Sequence, residues 1–178
     1  MSDTTTNSLR GLVKTLNDVV VPAIPADDPL ALQELRMVVR YLAFCRERVE
    51  HLYARARYEL GFYAGLTAEC GQLLGASGAA QSRELAALNE RAQALLREPG
   101  AAIGALRALA QETMTRLSRL LGEVNDAEAL AKVERAIVHG SADLTAFDRT
   151  WYLPLGLERF PGEVRPLAAF IPVHDAGR

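Results

Sequence analysis

The chain has 178 residues, 49% hydrophobic and 24% charged, a composition that suits one soluble domain with a real core and excludes a largely disordered chain. A net charge of −2 leaves no basic face for phosphates, so no nucleic-acid partner is expected. No run approaches the roughly 18 uninterrupted apolar residues of a membrane span, and the first residues do not read as a secretory signal. The two cysteines, Cys45 and Cys70, cannot build a multi-disulfide frame. A cytoplasmic location with no membrane partner is therefore the expectation.

Residues 7–21 place Leu9, Leu12, Val13, Leu16, Val19 and Val20 at helical spacing, and Pro22 and Pro25 close this first helix. A second helix then starts with Asp27 or Asp28 as N-cap and Pro29 in the first turn, where a missing N–H costs nothing. From there, positions alternating by three and four give Leu35, Val38, Leu42, Cys45, Val49, Leu52, Ala56, Glu59, Tyr63, Leu66, Cys70 and Leu73, an apolar seam that Glu59 alone interrupts. Met37, Val39, Tyr41 and Phe44 widen the apolar surface of the first half, which is expected to be buried on two sides. A continuous helix over about 29–74 would span roughly 70 Å, so it must bend or find a partner. Gly61, Gly65, Gly71 and Gly75 each weaken it by about 0.8–1.0 kcal/mol, which predicts either a close helix crossing or a kink near 61–65.

Ser82–Arg97 reads as a third helix, with Leu85, Leu88, Ala92, Leu95 and Leu96 on one side and Pro99 and Gly100 after it. Residues 101–124 form a fourth helix on Ile103, Leu106, Ala110, Leu117 and Leu120. Asn125 or Asp126 caps a fifth, carried by Leu130, Val133 and Ile137 and ended at Gly140, with a short sixth turn over 141–150. No period-two alternation supports a sheet, so the fold class is all-α, a bundle of about five helices. Pro154, Pro161, Pro166 and Pro172 rule out a long helix after Trp151. The reading divides the chain into a helical domain, 1–150, and an extended proline-rich arm, 151–178, packed on the bundle or on a partner.

Chemistry-bearing motifs are missing: there is no phosphate loop, no dinucleotide fingerprint, no nucleophile elbow and no HExxH, and the ExxH pair of di-iron bundles is absent. No metal and no cofactor is implied. Most charges in "CRERVEHLYARARYE" (residues 45–59) read as a solvated helix face with i,i+4 pairs such as Arg55 to Glu59. Three readings of Glu59 stay open. It is paired with Arg55 or another arginine at an interface, it lines a small-ligand pocket with His51, Arg55, Tyr58 and Tyr63, or it is exposed beside a kink at Gly61. His139 and His174 fit no pattern.

The stretch "LNDVVVPAIPADDPLALQELRMVVRYL", residues 16–42, resembles the start of small helical bacterial proteins of unknown activity that occur beside aminoglycoside-phosphotransferase-like kinases and acyl-CoA dehydrogenase-like enzymes. That resemblance implies an accessory role next to an enzyme. The expectation is a non-catalytic helical accessory or scaffold protein that self-associates as a homo-oligomer, with an adjacent enzyme subunit as a further partner. The alternative is a binder of a small apolar or acyl-type ligand, or an atypical enzyme, with its pocket around Glu59.

Overall fold

The computed structural model describes residues 4–76 and 78–172, and among these it is all-α with no strand. Helix α1 (Thr4–Thr15) continues through a π-helical turn, Leu16–Val20, into a last turn, Val21–Ala23. Helix α2 (Pro29–Arg48) starts where the sequence predicts, because the Asp28 carboxylate accepts a hydrogen bond from the Ala31 N–H at 2.9 Å. A 3-10 turn, Val49–His51, leads directly into α3 (Leu52–Leu74), so the helical run from Pro29 to Leu74 is unbroken. Helices α4 (Ala79–Arg97), α5 (Ile103–Leu121) and α6 (Ala127–Tyr152) follow. Short 3-10 turns at Leu153–Leu155, Pro161–Glu163 and Leu167–Ala169 make up the proline-rich segment. No helix among the described residues is long and apolar enough to cross a membrane.

The long helix continues unbroken through Gly61 and Gly65; its irregularity is the 3-10 turn at Val49–His51. The glycines have different reasons. At Gly71 an added Cβ would lie 3.6 Å from the Ser82 backbone oxygen, and Ser82 Oγ donates to the Gly71 carbonyl, so α3 and α4 cross closely there. Gly75 ends the helix at φ +50°, a left-handed conformation that favours glycine. Gly65 has nothing within 4 Å of its added Cβ, so close packing does not explain it. Gly140 does not end a helix as predicted. It lies inside α6, where its added Cβ would meet Leu66 Cδ1 at 3.7 Å and Phe62 Cε2 at 3.8 Å, so it serves packing against α3.

The residues fall into two compact units. The first takes in the chain up to Leu52 together with Asp148–Leu167. Here α1 turns Leu9, Val13 and Leu16, all half-buried, toward the core side of its amphipathic surface, and Thr6 Oγ1 donates to Glu50 Oε1 at 3.0 Å. Phe44 of α2 meets the rings of Trp151 (6.5 Å, edge-on) and Tyr152 (5.7 Å, stacked), while Trp151 and Leu155 are buried. The first half of the predicted seam is nevertheless not covered. No residue of α1 or α2 is buried, and Val38 and Cys45 are exposed. Helix α2 has α1 and the Leu153–Leu155 turn as neighbours in this unit, and these leave one of its faces bare.

The second unit is Tyr53–Phe147 with the residues from Ala168 onward. Its core joins α3 to α4, α5 and α6 through Leu66, Cys70, Leu74, Leu85, Leu117 and Val133, with an alanine-rich extension at Ala56, Ala64, Ala92 and Ala110 around Leu60 and Leu106. Apolar burial at about 25 cal/mol per Å² is what holds these helices together. Buried hydroxyls are satisfied within their own helices, Thr67 donating to the Ala64 carbonyl at 2.9 Å and Thr113 to the Leu109 carbonyl at 2.7 Å. Asp126 caps α6 by accepting from the N–H groups of Glu128 and Ala129. The expected arm is thus shared: residues 151–167 belong with the first unit, and Ile171 is buried with the second.

Candidate functional site

Arg55 and Glu59 occupy successive turns of α3, and Arg55 Nε donates to Glu59 Oε1 at 2.6 Å with side chains only 16% and 22% exposed. Of the three readings open for Glu59, pairing with the arginine one turn back is the geometry observed. A carboxylate oxygen held this closely by a guanidinium is committed to a charge-assisted bond. The Arg55 guanidinium also lies 6.0 Å from the Phe147 ring centre. Tyr58 packs its ring 4.2 Å from Phe147 and edge-on to Phe170 at 6.0 Å. These contacts join α3 and α6 to the C-terminal segment by aromatic packing.

The remaining candidates diverge. Tyr63 directs its hydroxyl to Met114 Sδ at 3.5 Å and packs on Phe62, so it serves the contact of α3 with α5. His51 is half-buried in the 3-10 turn and belongs to the first unit, whereas Arg55, Tyr58, Glu59 and Tyr63 belong to the second. His174 lies outside the described residues, and no trio of His, Cys, Asp or Glu is grouped to hold a metal among those described.

Two arginines read from sequence as part of a solvated face do specific structural work. Arg48 donates from Nε to the Trp151 carbonyl at 2.8 Å and from a terminal nitrogen to the Thr150 carbonyl at 3.2 Å. Both carbonyls lie in the last turn of α6. Its guanidinium sits 5.5 Å from the Trp151 ring centre, and burial pulls its pKa below the ordinary arginine value. Arg57 does the same for α4, donating to the Leu96 carbonyl while lying over Tyr53. Spacing along the chain carries no signal of either role.

The bare face of α2 is the other feature. Glu34, Met37, Val38, Tyr41, Leu42 and Cys45 line a shallow, mostly apolar groove along it. Glu34, Val38, Tyr41 and Cys45 follow at steps of four, three and four, which puts them on one stripe. The two thiols contrast: Cys45 is exposed, whereas Cys70 is fully buried, and desolvation pushes its pKa up to about 11. No protein-family model matches the chain, and no curated protein or solved structure matches it.

Proposed function

We propose that the chain is a non-catalytic helical accessory or scaffold protein that self-associates. The observation that carries this reading is the imbalance between the units. Helices α1 and α2 bury no residue and leave Leu12, Val19, Leu30, Val38 and Tyr41 exposed, while α3–α6 enclose two apolar clusters. Monomeric proteins rarely expose contiguous apolar patches above a few hundred Å², and larger ones mark interaction sites. The strongest polar candidates support the same reading, since Arg48 and Arg57 are engaged with carbonyls at the ends of α6 and α4, and Arg55 and Glu59 with one another along α3. An adjacent enzyme subunit as a further partner follows from the resemblance of residues 16–42, and an exposed Cys45 thiol suits a reduced, cytoplasmic setting. Light scattering on the purified chain over a concentration series tests the proposal, with a dimer or larger species expected. A persistent monomer carrying a retained small molecule in native mass spectra would replace it with the ligand-binding alternative.

A further inference from the structure

Resting on the reading of the chain as an accessory protein, we infer that the Arg36–Arg40 edge of α2 is a docking surface for an acidic amphipathic helix of a partner protein. That helix carries two carboxylates one turn apart beside an apolar stripe. The chain as a whole has a net charge of −2, yet α2 holds four arginines against two glutamates. Two of the four are engaged, Arg48 with the carbonyls of Thr150 and Trp151, and Arg46 with the adjacent Glu47 at 3.8 Å. Arg36 and Arg40 are exposed and have no hydrogen bond or ion pair among the described residues. Arg107 and Arg135 are also without one, but they stand singly on α5 and α6.

Their own helix cannot neutralise this pair. Besides each other, the positions three and four away are Leu32, Gln33 and Val39 for Arg36, and Met37, Ala43 and Phe44 for Arg40. Glu34 is two residues from Arg36 and so points away from it around the helix. Elsewhere cations meet carboxylates, Arg91 with Glu112 at 2.7 Å, Arg119 with Glu123 at 3.2 Å and Arg149 with Glu158 at 3.0 Å. Like charges at i,i+4 weaken a helix, a small penalty that carboxylates from outside would remove.

The surface between the two arginines gives the occupant its second property. Pro29, Leu32 and Met37 line a shallow groove there with Gln33, and no residue of α1 or of the Leu153–Leu155 turn takes part in the lining. Apolar side chains of a partner fill such a groove, as an amphipathic helix does. Arg36 and Arg40 are four residues apart, about 6 Å along the axis, which matches acidic residues at i and i+4 on a second helix. Each guanidinium can hold one carboxylate by two parallel hydrogen bonds. A nucleic acid or an anionic membrane draws on a wider basic face than two cations beside an apolar groove, so the geometry favours a protein helix.

Fluorescence anisotropy tests this on the full chain, with a labelled helical peptide whose leucine stripe is flanked by glutamates four residues apart. Saturable binding is expected at concentrations below about 100 µM, weakening as salt is added. The dissociation constant should rise at least about tenfold for Arg36→Gln/Arg40→Gln, and equally when glutamine replaces glutamate in the peptide. The double variant should melt at or slightly above the wild-type temperature, because a like-charge pair has been removed. A melting temperature several degrees lower would show both arginines to be engaged within the fold and overturn the proposal. So would a wild type that does not bind, or equal binding by the double variant or by the glutamine peptide. Arginine-dependent binding to phosphatidylglycerol vesicles, with none to the peptide, would overturn the protein helix as occupant. Light scattering on the chain alone reads self-association separately, so either reading can fail without the other.

Discussion

Replacing Arg48 by methionine keeps an apolar stem of similar length and removes the guanidinium. Two hydrogen bonds from a charged donor are lost, at 2.8 Å to Trp151 and 3.2 Å to Thr150, together with the stacking over Trp151. Hydrogen bonds to charged groups contribute about 1.5–3 kcal/mol each, and a half-exposed cation over an aromatic ring about 0.5–1 kcal/mol. Partial burial of the guanidinium offsets part of this, and carbonyls at a helix end can recover water, so the net loss is about 2–3 kcal/mol. For a chain of this size that corresponds to a melting temperature lower by roughly 5–10 °C. Trp151 is the sole tryptophan and lies under Arg48, so its fluorescence during urea unfolding reports on the first unit directly. Arg48→Lys should recover about half of the loss, because an ammonium supplies charge without the planar fork that reaches two carbonyls. A loss below about 0.5 kcal/mol for Arg48→Met would refute the assignment of Arg48 as the group that closes the end of α6.

Glu59→Leu leaves the Arg55 guanidinium half-buried without its carboxylate and should destabilise the chain by about 1 kcal/mol in denaturant titrations. The double variant Arg55→Leu/Glu59→Leu should lie closer to wild type, and equal losses in the single and double variants would argue against the pair. Arg149 meets both oxygens of Glu158 at 3.0 Å and holds that carboxyl below its ordinary pKa. The stability it confers is present above the unfolded glutamate value and is lost as pH falls through the depressed folded value. Glu158→Gln should therefore flatten the acid limb of the Trp151 unfolding midpoint, and an unchanged limb would refute the linkage. Gly65→Ala, with open space at its added Cβ, should stabilise α3 by about 0.5–1 kcal/mol; Gly75→Ala, at φ +50°, should destabilise by about 1 kcal/mol. Thermal melts of the pair check both signs.

Chain-local chemistry made the helices legible. The Asp28 cap, Pro29 behind it and the Asp126 cap each act within four residues, so the local sequence alone marks the starts of α2 and α6. The pairing of Arg55 with Glu59 was legible for the same reason, since i,i+4 side chains meet on any helix. Tertiary structure alone decided the rest. Arg48 finds its carbonyls 102 and 103 positions away and Arg57 finds Leu96 39 positions away, separations that no helical period encodes. Periodicity marked one seam from Leu35 to Leu73, yet only α3 is embedded among helices, and the corresponding stripe of α2 remains open. An apolar pattern specifies which face of a helix avoids water; which element comes to cover that face depends on the packing of the rest of the chain.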